Sequence, residues 1–222
     1  MKKFVLIVAG GSGSRMNSVV PKQFMIISGK PVLMHTVNRF YDFDPSSEIT
    51  VVLPKEQIST WNKLCDDYRF RIKHNVVEGG SVRFESVRNG LSIIEGEGLV
   101  AIHDGVRPLV SLETIKRCFE TAGTKGNAVP VMPVNESLRR VEGECNNAVD
   151  RSEYVSVQTP EVFRVSEIKE AYKSDYKDTF TDDASVLEHT GYTINLVEGN
   201  KENIKITHPV DIIIAETLLK EI

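Results

Sequence analysis

The chain has 222 residues, of which 41% are hydrophobic and 26% charged, enough apolar material for one substantial core with nothing that forces a second domain. Its formal net charge of -4 argues against a nucleic-acid coat, because binding along a phosphate backbone shows as a basic excess. No segment approaches a membrane span, and the apolar run at residues 4–9 is shorter than a secretory core region of about 7–15 residues.

That run, Phe4-Val5-Leu6-Ile7-Val8-Ala9, reads as a buried strand. It drops into Gly10-Gly11-Ser12-Gly13-Ser14-Arg15-Met16 and then reaches Pro21-Lys22-Gln23-Phe24. A glycine-rich turn after such a strand leaves backbone N–H groups uncovered, a concave donor set suited to phosphate oxygens. Arg15 and Lys22 put two cations beside it. The spacing excludes three familiar loops: Met16 stands where a dinucleotide fingerprint needs its third glycine, the Gly-Lys-Ser/Thr ending of a P-loop is absent, and Ser14 replaces the last glycine of a nucleophile elbow. A turn built only for its bend has no use for Arg15 and Lys22.

Apolar strands then alternate with helical stretches. Residues 31–41 are predicted helical, Asp42-Phe43-Asp44 ahead of Pro45 a loop, and residues 49–53 a strand stopped by Pro54. Residues 56–68 return to helix, 74–78 form a short strand ending at Gly79-Gly80, and 83–94 carry apolar residues at helical spacing. Residues 99–103 form a strand whose carboxyl end delivers Asp104. This alternation predicts an α/β fold in three layers with a mainly parallel sheet, and ligands of such sheets bind at the carboxyl ends of the strands. The glycine loop and Asp104 both fall on that edge.

Within a single domain spanning 1–222, residues 133–157 break the pattern. Loose alternation around the polar turn at 142–147 predicts a protruding β-arm. Thr181 reads as the N-cap of a helix with Asp182 and Asp183 in its first turn, a place that also offers free N–H groups to an anion. Residues 203–207 read as an alternating strand carrying Lys205, before His208-Pro209 opens the last helix. Asp104 is a candidate metal-linked carboxylate for Mg²⁺, or a turn cap before Gly105. His103 lacks an accompanying nucleophile and reads as a packed, hydrogen-bonded histidine. Cys65, Cys118 and Cys145 show no metal spacing and read as reduced thiols of a cytoplasmic protein.

The string AGGSGSRM followed by PKQF resembles the signature of nucleotidyltransferases that activate sugar or polyol phosphates. With EGGSVRFESV from Glu78, HDGVRP from His103, VDRS from Val149, QTPEVF from Gln158, TDDAS from Thr181 and NIKIT from Asn203, the chain is similar over nearly its whole length to one family of cytidylyltransferases. That family acts on 2-C-methyl-D-erythritol 4-phosphate and, in its relatives, on ribitol 5-phosphate. The resemblance implies a Rossmann-like nucleotidyltransferase fold and transfer of CMP from CTP to the methylerythritol phosphate, a step of the non-mevalonate route to isoprenoid precursors, or to ribitol phosphate. It also implies Mg²⁺ as cofactor and a homodimer formed through the β-arm.

Residue by residue, the resemblance places Gly11 and Gly13 on the triphosphate, with Arg15 and Lys22 offsetting charge at the reacting phosphates. Ala9, Gly10, Gly80 and Ser86 surround cytosine and ribose, and Ser81 stands where relatives often carry an acid. Asp104 lies beside the metal, while Arg107, Ser137, Thr159 and Thr181 contact the acceptor. Ser137 keeps the hydroxyl of a more usual threonine. Arg151 and Lys205 align the acceptor phosphate. Asp42-Phe43-Asp44 supplies the Asp-x-Asp string of a metal-dependent glycosyltransferase, but in a predicted loop. A non-catalytic nucleotide-binding module would have no reason to retain Arg15, Lys22, Asp104, Arg151 and Lys205 together.

Overall fold

The computed structural model describes residues 1–10 and 20–220. Gly11, Gly13 and Arg15 lie outside the described residues. Strand β1 (Lys3–Val8) is buried from Phe4 onward and pairs in parallel on both sides, with β4 (Glu48–Leu53) and β6 (Leu99–Asp104). Burial on both faces explains its unbroken apolar sequence. Side chains alternate along it: Val5 and Ile7 enter one core with Phe40, Trp61 and Phe119, whereas Phe4, Leu6 and Val8 enter another with Phe84, Val87 and Ile168. Two cores on opposite faces of one sheet make the three expected layers.

After β1 come two-residue strands β2 (Ile26–Ile27) and β3 (Lys30–Pro31), then helix α1 (Val32–Phe43). The next units are α2 (Lys55–Asp67), β5 (Asn75–Glu78), α3 (Arg83–Ser92), and, after β6, α4 (Leu112–Lys125) and β7 (Asn127–Pro133). The arm carries β8 (Arg139–Glu142) and β9 (Cys145–Ala148), and the chain rejoins the main sheet through β10 (Val155–Val157) and β11 (Glu161–Arg164). Helices α5 (Val165–Ala171) and α6 (Asp183–Glu188), strand β12 (Leu196–Glu198) and helix α7 (Pro209–Leu218) complete it.

The main sheet runs β10-β7-β11-β6-β1-β4-β5, with β12 also on β7. Its β6-β1-β4-β5 half is parallel, and β11 enters antiparallel beside β6. The chain steps outward from β1 to β4 and β5, then returns to place β6 on the other side of β1. The order therefore reverses between β1 and β6, and a crevice opens there at the strand ends.

Four local expectations are corrected. Residues 203–207 form no strand, because Ile206 N–H meets Val106 O at 2.9 Å without a continuing ladder. The N-cap of α6 is Asp182 rather than Thr181: the Asp182 carboxylate accepts the Ser185 N–H at 2.8 Å in a capping box. Helix α1 runs on through Phe43, so Asp42 and Phe43 are helical, and Asp44 is occupied by Lys3 at 2.6 Å. The arm's turn narrows to Gly143-Glu144, since Cys145, Asn146 and Asn147 belong to β9; Gly143 takes φ 61°, which a glycine tolerates.

Candidate active site

The crevice between β1 and β6 opens into a cleft of about 310 Å³. Ala9 and Gly10 leave the end of β1 on one side, and Asp104 ends β6 on the other. The two backbones come close: a Cβ on Gly105 would stand 2.8 Å from that of Ala9, so only glycine fits after Asp104. Opposite them, Gly80, Ser81 and Val82 lead into α3, where the Gly80 N–H donates to Ser86 Oγ at 3.1 Å. Lys22 stands on the rim in a short 3-10 turn, Lys22–Phe24. Its neighbour Gln23 is buried and donates from Nε2 to Ala9 O at 2.8 Å and Gln57 Oε1 at 2.5 Å, tying that turn to the end of β1.

Charge gathers on the cleft floor. Asp104 Oδ2 meets Arg107 Nε and Lys205 Nζ, each at 3.1 Å, and Oδ1 faces Arg83 Nε at 3.9 Å. Burial would raise the Asp104 pKa, but Lys205, Arg83 and Arg107 together hold it well below the usual carboxylate range. Arg107 also donates from Nη1 to Asn203 O at 2.7 Å, so its fork is fixed. Behind the floor, Arg83 forks onto Asp183 at 2.8 and 2.6 Å, and Tyr172 Oη donates to the same carboxylate at 2.5 Å. Glu161 caps the start of α6, accepting from Ala184 N–H at 2.7 Å; burial and then repulsion from Asp183 push its pKa up. The floor thus keeps an ionised carboxylate surrounded by cations, a field that favours a further anion.

His103 is neutral and fully used. Nε2–H donates to Arg107 O at 3.0 Å, which leaves Nδ1 to accept the Thr159 hydroxyl at 3.0 Å, and Thr159 Oγ1 in turn accepts the Asp104 N–H at 3.1 Å. Burial holds the imidazole down to about 4, in agreement with that tautomer. This histidine sets the backbone beneath Asp104, with both ring nitrogens occupied by protein partners.

The family model described as 2-C-methyl-D-erythritol 4-phosphate cytidylyltransferase matches residues 3–221. The chain belongs to that family. A 2-C-methyl-D-erythritol 4-phosphate cytidylyltransferase of Phocaeicola vulgatus is 51% identical over 219 residues, covering 99% of this chain and 100% of the relative. The crystal structure of the enzyme of that name from Thermus thermophilus is 33% identical and superposes with a TM-score of 0.81, covering 99% of this chain and 100% of that one. The 4-diphosphocytidyl-2C-methyl-D-erythritol synthase of Anaerococcus prevotii is 25% identical with a TM-score of 0.83, covering 99% of this chain and 96% of that one. The protein is an enzyme of the cytidylyltransferase class.

Within this cytidylyltransferase, Ala9, Gly10, Lys22, Gly80, Ser86, Asp104 and Lys205 line one cleft, and Arg107 joins them through Asp104. Thr159 lies beneath the floor with its hydroxyl engaged. Thr181 is exposed, just ahead of the Asp182 cap. Ser137 and Arg151 are exposed on the arm, where Arg151 Nη1 donates to Asn135 O, and neither lines the cleft of its own chain. From sequence alone Gln23, Arg83, Glu161 and Tyr172 have no role at the site, and Asp183 has only a place in the first turn of a helix. The signal for Arg83 was its position shortly after the glycine pair.

Among the described residues no three His, Cys, Asp or Glu side chains could cage a metal ion. Mg²⁺ needs no such cage, since it takes one or two carboxylates with phosphate and water oxygens. Asp104 fits that demand: it is ionised, and its Oδ1 has no cation nearer than Arg83 at 3.9 Å among the described residues.

Proposed function

We propose that this chain transfers the cytidylyl group of CTP to the phosphate of 2-C-methyl-D-erythritol 4-phosphate. The products are 4-CDP-2-C-methyl-D-erythritol and pyrophosphate, in the non-mevalonate route to isoprenoid precursors. The observation that carries it is the meeting of Asp104, Arg107, Lys205 and Arg83 at the switch point of the sheet, in a member of this family.

A phosphate monoester with a second pKa of about 6 is mostly a dianion at neutral pH, so it needs no protein base. Its oxygen attacks the α-phosphorus, a new P–O bond forms, and the bond to the β-phosphate oxygen breaks as pyrophosphate leaves with the electron pair. Charge neutralisation and alignment then govern the rate. Ala9, Gly10, Gly80 and Ser86 hold the nucleoside. Gly11 and Gly13 hold the triphosphate, and Arg15 and Lys22 take up charge as it moves to pyrophosphate. Lys205, with Arg151 of the arm, draws the acceptor phosphate to the floor, in line with the α-phosphorus, while Arg107 holds Asp104 in place beside it. Mg²⁺, held by Asp104 and phosphate oxygens, supplies further neutralisation when bound.

Ser137 and Arg151 do not line the cleft of their own chain, which supports a homodimer in which each arm completes the partner's site. The hairpin's fully exposed β8 and β9 are consistent with such an arm. No helix among the described residues is long and apolar enough to cross a membrane, and all three cysteines are free; both fit a cytoplasmic enzyme.

The test is pyrophosphate release from CTP with Mg²⁺, run in parallel with 2-C-methyl-D-erythritol 4-phosphate and ribitol 5-phosphate. Release with the first acceptor supports the reading. Release with ribitol 5-phosphate alone moves the enzyme to the other acceptor, and release with neither overturns it.

A further inference from the structure

We propose that Asp183 is a positioning residue for the nucleotide side of the cleft, acting through Arg83. The proposal rests on the reading of the cleft as a CTP site. Arg83 is the first residue of α3 and directly follows the Gly80-Ser81-Val82 wall. Both of its terminal nitrogens are taken by Asp183, a residue 100 positions away and fully buried at the start of α6. Tyr172 adds a third bond to the same carboxylate, and Arg83 Nε faces Asp104 on the other side. One planar fork therefore fixes the wall that carries the Gly80 N–H and Ser86 against both α6 and the end of β6.

Stability alone is a poor reason for this arrangement, because buried ion pairs are commonly no better than a well-packed neutral replacement. What a bidentate arginine–carboxylate pair supplies is direction. Asp183 gives the Arg83 head one orientation at the start of α3, where Arg83 itself lines the cleft beside Ser81 and Val82.

The experiment uses the full chain as wild type, Asp183→Asn, Arg83→Gln, the double variant and Tyr172→Phe. CTP binding is read by titration calorimetry, alongside steady-state kinetics and thermal unfolding. Asp183→Asn is expected to unfold about 6–20 °C below wild type, because it leaves a buried guanidinium without its charged partner, and to remain folded at the assay temperature. It should raise the CTP KM and Kd at least about tenfold, with a smaller fall in kcat and little change in acceptor KM. A residue that only stabilised the fold would lower the active fraction, and so kcat, without moving KM. In the Arg83→Gln background the same substitution should add less than about threefold, because the two act as one unit. An Asp183→Asn enzyme with CTP Kd within about twofold of wild type, or one whose full effect recurs without Arg83, overturns the proposal.

If Asp183→Asn does not fold, Tyr172→Phe decides: a CTP Kd raised about threefold supports the proposal, and an unchanged one overturns it. A wild type that binds CTP but turns over neither acceptor fails the catalytic reading and leaves this proposal to the Kd values. A wild type that binds no CTP overturns both.

Discussion

The ammonium of Lys205 stands 3.1 Å from Asp104 Oδ2, although one residue belongs to the irregular segment before α7 and the other ends β6. The lysine side chain is 40% exposed, so it can turn from the carboxylate to an arriving phosphate, while Arg107 stays on Asp104. Lys205→Ala is expected to lower kcat/KM for the acceptor at least about a hundredfold, the scale of one lost transition-state charge contact, with a smaller effect on CTP KM. Steady-state kinetics with each substrate varied in turn checks this.

Arg15→Ala and Lys22→Ala are each expected to lower kcat at least about a hundredfold, because their charges offset what develops on the reacting phosphates. Near-normal turnover in both would remove them from the mechanism.

The arm makes a prediction about assembly. Arg151→Ala alone should weaken acceptor use, and so should Lys205→Ala alone. If each arm serves the partner's cleft, mixed dimers of the two variants contain one intact site, and random mixing should restore about a quarter of wild-type activity. No recovery after unfolding and refolding the mixture together would place Arg151 outside the partner's site.

How far the sequence foretold this site depends on the distance over which each residue acts. Strand β1, Gly10 just beyond it and Asp104 were legible because a buried parallel strand is a continuous apolar run and its end is marked by glycine. The fork between Arg83 and Asp183 was not, since the partners lie 100 residues apart and no periodicity links them. The cap of α6 moved by one residue because Thr181 and Asp182 are both competent caps, and only the structure shows which side chain reaches the Ser185 N–H. The alternation around Lys205 mimicked a strand, yet pairing needs a neighbour with free backbone groups, and Val106 offers a single carbonyl. Thr159 carried a hydroxyl of the right kind, but its bonds to His103 and the Asp104 amide join residues 56 and 55 positions away, which no local pattern announces.

His103 gives a pH signature. Its pKa is held down to about 4 by burial, against 6.5 when exposed, so the unfolded chain binds more protons between those values. Stability is therefore complete above pH 6.5 and falls as pH drops toward 4, by about 3 kcal/mol from this residue. Burial lowers His35 and His74 in the same sense. Denaturant unfolding at stepped pH should show a shallower slope over this range in His103→Gln than in wild type.

The central claim is transfer of a cytidylyl group to a phosphate, rather than hydrolysis of CTP. Phosphorus NMR of the wild-type enzyme with CTP, Mg²⁺ and 2-C-methyl-D-erythritol 4-phosphate follows every phosphorus at once. The expected spectrum loses the acceptor monoester signal and gains pyrophosphate and a mixed diphosphate in equal amounts, with no CMP. An unchanged monoester signal beside growing CMP or inorganic phosphate would contradict the claim.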